Sequence, residues 1–199
     1  MLRMPSPTKD EIAALEPLNR LGLENIVVVS TRQHADDAFA ALHASAVLGF
    51  DTESKPTFVR DEVSQGPHVV QFSTPHKAYV FQLHDAACKE AVSELLVSSR
   101  LTKVGFGLSG DHVQIKRTLG VLPQQVLDLN AVFRERGYGK ELGVRGAVAV
   151  VFKRRFIKSR KATTSNWSNR QLTESQIIYS ANDAWAAIQV YHALGLGQS

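Results

Sequence analysis

The stretch Ile177-Ile178-Tyr179-Ser180-Ala181-Asn182-Asp183-Ala184-Trp185-Ala186-Ala187-Ile188 is apolar on almost every side when wound as a helix. A helix without a polar face is buried on all sides, so the rest of the chain must fold around it. Its start is marked by Thr173 and Gln176, spaced as a capping box, and its pattern runs to about Leu194. With 199 residues there is material for one domain with a good core.

Short β-branched and apolar runs supply the sheet for that helix. Strands are expected over Asn25–Ser30, Ala46–Glu53, His68–Ser73, Ala78–Leu83, Thr102–Gly105 and, shorter, Val126–Leu129. The turn residues Ser73-Thr74-Pro75-His76 make the third and fourth a hairpin. Helices are expected over Thr8–Leu18, Arg32–Ala44, Lys89–Ser98, Ser109–Leu119 and Leu142–Phe152, with a helical turn or two over Asn130–Arg136 and a basic loop from Lys153 to Asn169. This order predicts an α/β fold, a mixed sheet flanked by helices. Residues 1–24 read as an N-terminal helical extension and 25–199 as the principal domain.

A single cysteine, Cys88, excludes an internal disulfide and a cysteine-based zinc site, and is simplest as a small core residue. The histidines show no metal-type pairing. No apolar run has the length of a membrane span, and the first residues carry no signal-peptide pattern, so a soluble cytoplasmic protein is expected. The net charge of +4 mildly favours polyanionic partners.

The informative acids stand where the pattern calls for apolar residues. Asp51 and Glu53 end a strand and, two apart, point to the same face. Two like charges there repel unless a cation sits between them, although a lone Asp-x-Glu is usually only a solvated strand end. Asp111 follows the small-residue run Gly105-Phe106-Gly107-Leu108-Ser109-Gly110 and lies on the apolar stripe of its helix; alone it reads as a first-turn partner of the helix dipole. Asp183 is harder to dismiss, because an unpaired charge inside an apolar helix costs several kcal/mol. Tyr179, four residues earlier, shares its face. An all-oxygen carboxylate cluster suits Mg²⁺ or Mn²⁺ and not zinc.

Three segments then resemble a known family: Phe50-Asp51-Thr52-Glu53, Val104-Gly105-Phe106-Gly107 through Asp111, and Tyr179-Ser180-Ala181-Asn182-Asp183. In order, they are similar to the three motifs of the proofreading-type 3′→5′ exonuclease superfamily. Asn166-Trp167-Ser168, Leu172-Thr173 and Gln176 resemble its ribonuclease D and Werner-syndrome-type branch. The resemblance implies a ribonuclease H-like fold and a hydrolase releasing nucleoside 5′-monophosphates from a free 3′ end of RNA or DNA. It implies that Asp51, Glu53, Asp111 and Asp183 hold two divalent ions, Mg²⁺ or Mn²⁺, and that Tyr179 positions or helps deprotonate the attacking water. It further implies that Thr52 and Glu53 meet the terminal sugar, that Leu108 packs near the terminal base and that Gln71 lines the site. A sister branch carries histidine where this chain has Ile178, so the tyrosine subclass fits.

The sequence departs from relatives at Ser54-Lys55-Pro56, just after Glu53. The basic run Lys153, Arg154, Arg155, Lys158, Arg160 and Lys161 precedes the Asn-Trp-Ser segment. Lys158 and Lys161 are the candidates there for phosphate contacts, against the ordinary fate of such runs as solvated loops. Trp167 reads as a buried anchor of that loop and Asp128 as structural. With no room for the helical domain usual in ribonuclease D, substrate recruitment falls to this domain, a homo-oligomer or a partner. The rival readings are a binding module that has kept the fold and lost catalysis, and a metal-dependent nucleotidase or endonuclease. The presence of every acid and the tyrosine favours the exonuclease.

Overall fold

The computed structural model describes residues 3–57, 62–139 and 141–197. Its centre is a mixed sheet of β1 (Ile26–Val29), β2 (Val47–Glu53), β3 (Val69–Ser73), β4 (Ala78–Gln82), β5 (Thr102–Gly105) and β6 (Val126–Asp128). The strand order is β1-β4-β3-β2-β5-β6. The middle pairs, β4 with β3 and β3 with β2, are antiparallel; β1 with β4, β2 with β5 and β5 with β6 are parallel. The expected hairpin is the β3–β4 pair.

Around the sheet stand α1 (Lys9–Ala13), α2 (Arg32–His43), α3 (Ala86–Val97), α4 (Ser109–Leu119), α5 (Leu129–Glu135), α6 (Gly143–Phe152), α7 (Arg160–Thr163) and α8 (Glu174–Ala193). Strand alternation divides the core into two faces. Leu48 and Phe50 of β2 pack with Val70, Phe72 and Phe81 against Leu42 of α2 and Leu95 and Leu96 of α3. Val47 of the same strand points the other way, into a cluster with Phe133, Val148 and Ile188 from α5, α6 and α8. The residues 47, 49, 51 and 53 therefore face α8.

Helix α8 lies across β2, β3, β4 and β5, as an all-round apolar helix must. Its capping box, Thr173 with Gln176, is present. Close approach to β2 depends on Gly49, where a Cβ would run into the carbonyl oxygen of Ala184.

The ends of some elements differ from expectation because side-chain caps and strand-like contacts decide them. Helix α3 begins at Ala86, a turn earlier, because Asp85 accepts from the N–H groups of Ala87 and Cys88. Helix α1 stops at Ala13 instead of continuing to Leu18. Beyond it the backbone is claimed by Arg155, whose N–H donates to Glu16 O at 2.8 Å and whose carbonyl accepts from Leu18 N at 2.9 Å. The basic loop holds a helical turn, α7, capped by Ser159. Trp167 is buried as expected, 1% exposed, and Cys88 lies in the core. Asp128 accepts from the N–H groups of Gly107, Leu108 and Asn130, a structural part. No helix among the described residues is long and apolar enough to cross a membrane.

Candidate active site

Strand β2 delivers Asp51 and Glu53 to the α8 face, and α8 delivers Asp183 against them. Oxygens of the three carboxylates lie within 4.8 Å of one another. Asp111, in the first turn of α4, stands at the rim outside that group. There it accepts a hydrogen bond from the Thr52 hydroxyl, and its charge acts on both Asp51 and Glu53. The separate direction of Thr52 follows from alternation, since residue 52 faces away from α8 while 51 and 53 face it.

The electrostatics of the cluster are those of charge in a poor solvent. Burial, then the charge of Asp183, holds the Asp51 carboxyl well above the usual carboxylate range. Burial and the neighbouring Asp51 and Asp183 push Glu53 up to about 10. Burial also raises Asp183, with Lys158 pulling it back, and raises Asp111, with the Thr52 hydrogen bond opposing. Lys158 Nζ lies 2.7 Å from Asp183 Oδ2. Burial would lower the Lys158 ammonium, but Asp183 and Asp51 more than offset it, and its value is raised.

One cation does not answer every acceptor. Among the described residues, Asp183 Oδ1 is buried without a hydrogen-bond partner, and Oδ2 is paired with Lys158. Gln71 pairs directly with Asp51 across β2 and β3, so the two side chains share a face. It is fully buried, and neither end of its amide has a partner among the described residues. Orphaned buried polar groups of this kind point to a ligand or ordered solvent at the site. A hard divalent cation with bound water fits this donor set: the oxygens are all carboxylate or amide, and no sulfur or imidazole intrudes among the described residues.

Tyr179 is mostly buried, its ring 6.0 Å from that of Trp167 and 5.3 Å from Lys158 Nζ. Thr163 of α7 donates to its hydroxyl oxygen at 3.1 Å. Burial and Asp183 push that hydroxyl up to about 12. Leu108 caps α4 from within the core and is 1% exposed. Lys161 is exposed on α7 and, among the described residues, pairs with no carboxylate, whereas Lys158 reaches the acids directly. Thr163 carried no signal in the sequence, being one of several hydroxyl residues in a polar loop; only the fold of α7 brings it to Tyr179.

Comparison with known proteins gives the family and the fold in which this site lies. The bifunctional 3′-5′ exonuclease/ATP-dependent helicase WRN of Mus musculus is 28% identical over 163 residues, which is 81% of this chain and 12% of that protein. This chain thus spans about an eighth of that relative. The EXO domain of Aedes aegypti Nibbler superposes with a TM-score of 0.74 at 18% identity, covering 88% of this chain and 89% of that one. Trypanosoma brucei RNase D in complex with RNA U12 superposes with a TM-score of 0.75 at 18% identity, over 93% of this chain and 64% of that one. The fold is therefore the ribonuclease H-like fold of these exonuclease domains. A sequence model described as 3′-5′ exonuclease matches residues 26–196, and with most of its length so matched this chain belongs to the 3′-5′ exonuclease family.

Proposed function

We propose that this chain is a metal-dependent 3′→5′ exonuclease of the tyrosine subclass, releasing nucleoside 5′-monophosphates from the free 3′ end of RNA or DNA. The observation that carries this reading is the convergence of Asp51, Glu53 and Asp183 in an apolar interior, with Asp183 Oδ1 and the Gln71 amide unpartnered. Such a cluster is costly unless cations occupy it. Residues 25–199 are the exonuclease domain in this reading, and residues 1–24 an extension ahead of it.

Asp51, Glu53 and Asp183 would hold Mg²⁺ or Mn²⁺, with Asp111 supplying a further carboxylate from the rim and room in the donor set for two ions. Divalent ions in such a site lower the pKa of a bound water and stabilise the leaving oxygen of a phosphodiester. Tyr179, its hydroxyl steadied by Thr163, would position the attacking water or help deprotonate it. Ile178 precedes it, where the sister branch has histidine. Thr52 holds Asp111 in place and is, with Glu53, the candidate to meet the terminal sugar. Lys158, 2.7 Å from Asp183, is the candidate to meet the reacting phosphate, and Leu108 backs the site from the core. RNA as a substrate draws support from the RNase D relative solved with RNA U12.

The test is a 5′-labelled strand of RNA or DNA incubated with Mg²⁺ or Mn²⁺, beside a 3′-phosphate-blocked control and the Asp183→Ala variant. A ladder shortening from the 3′ end, absent in the variant and on blocked ends, is the expected result. No ladder on any strand would replace this reading with that of a nucleic-acid-binding module. A ladder that survives Asp183→Ala would overturn the catalytic assignment of the carboxylates. Cutting of circular DNA would point to an endonuclease.

A further inference from the structure

We propose that the cavity between α1, α6 and the segment Arg155–Lys158 is a second nucleic-acid subsite, taking phosphodiester groups of the substrate strand upstream of its 3′-terminal nucleotide. The proposal rests on the exonuclease reading above and extends it to how a longer strand is held.

The cavity has a volume of about 460 Å³. Lys9 enters it from α1, Arg145 from α6, and Arg155 and Lys158 from the segment between α6 and α7; among the described residues no carboxylate lines it. The Lys158 ammonium is already paired with Asp183. Beside it Lys9, Arg145 and Arg155, three like charges around one hollow, focus a positive potential and raise the free energy of one another, a cost that an anion removes. The neighbouring hollow of about 420 Å³ is different: Arg20 there is offset by Glu174. Positive charge is thus a property of this cavity and not of the whole side of the molecule.

The arginines are held in place before any ligand arrives. Arg155 donates through Nη1 to Ala13 O at 3.0 Å, and its Nε is buried without a partner among the described residues. Arg145 Nη2 donates to the backbone carbonyl of Lys158 at 3.2 Å. Planar guanidinium forks fixed in this way suit phosphate oxygens. Ile157, 51% exposed, adds an apolar surface against which a base or sugar can lie.

Lys158 joins this cavity to the carboxylates. Its backbone is part of the cavity wall, and its ammonium is 2.7 Å from Asp183. A strand with its scissile phosphate at the acids therefore has its next phosphates one lysine side chain away. The N-terminal segment becomes part of the substrate channel, since Lys9 comes from it.

The test measures binding, in Mg²⁺, of a 5′-labelled twelve-nucleotide RNA and of a dinucleotide, both with hydrolysis-resistant phosphorothioate linkages, across a salt series, for wild type, Lys9→Glu and Lys9→Glu/Arg145→Gln. Melting curves monitor the fold. Expected is a roughly ten-fold rise in Kd for the twelve-mer in the double variant, with a smaller rise in the single one. The slope of log Kd against log salt should fall by about 0.7 for each phosphate that is no longer held. The dinucleotide, whose phosphodiester sits at the carboxylates, should keep its affinity. An unchanged Kd and slope for the twelve-mer, or an equal loss for the dinucleotide, overturns the proposal. Displacement of the twelve-mer by UMP in wild type but not in the double variant also overturns it, in favour of a site for the product. These outcomes are separate from those of Asp183→Ala: a failed subsite leaves the ladder intact, whereas a failed exonuclease reading leaves Asp183→Ala active.

Discussion

Lys158 supplies the positive charge that meets Asp183, and it comes from a basic loop that the sequence offers for phosphate contacts. Replacing it with glutamine leaves a buried carboxylate without its ion pair. We expect Lys158→Gln to lose about 1–3 kcal/mol of stability in EDTA, with much of the loss recovered on adding Mg²⁺, as read by urea unfolding. Tyr179→Phe keeps the ring against Trp167 and removes only the hydroxyl. Its kcat should fall about 10²-fold with little change in KM, measured on a short 5′-labelled strand. Asp183 stood out in the sequence because it breaks the pattern of an apolar helix. Asp51 and Glu53, an ordinary strand end when taken alone, drew their weight from the resemblance of the three motifs together. So did Asp111, since a first-turn acid has an ordinary explanation, and it does stand apart from the other three. The Lys158 ion pair was not legible, because it depends on how the chain after α6 folds back over α8.

At the scale of elements, the site depends on how closely α8 lies on β2. Gly49 is the contact that permits this, with the Ala184 carbonyl where a Cβ would be. Gly49→Ala should cost about 2–3 kcal/mol, seen as a lower urea midpoint. It should also slow the exonuclease ladder, because Asp183 rides on the helix that is pushed away. Element type and order were readable from apolar periodicity, since each buried face repeats its signal over several residues. The ends were not. They were set by single contacts, Asp85 capping α3 and Arg155 taking the backbone after α1, and a period carries no trace of such contacts.

For the whole molecule, the clustered acids invert the usual effect of pH. Glu53 holds its proton up to about 10, whereas an unfolded glutamate loses it near 4.5. The folded state thus binds more protons than the unfolded one through that window, and stability falls as pH rises across it. In EDTA the Tm should drop by roughly 5 °C between pH 5 and pH 8, and Mg²⁺ or Mn²⁺ should flatten the slope by taking the place of protons. A melting series that is flat in EDTA would contradict the burial of these carboxylates. The mixed strand order follows a similar logic of distant parts meeting: β2 lies mid-sheet, and the helix that covers it is the last in the sequence. During synthesis the amino-terminal half emerges first. Asp51 and Glu53 are therefore outside the ribosome well before Asp183, and the three carboxylates come together only when α8 docks on β2.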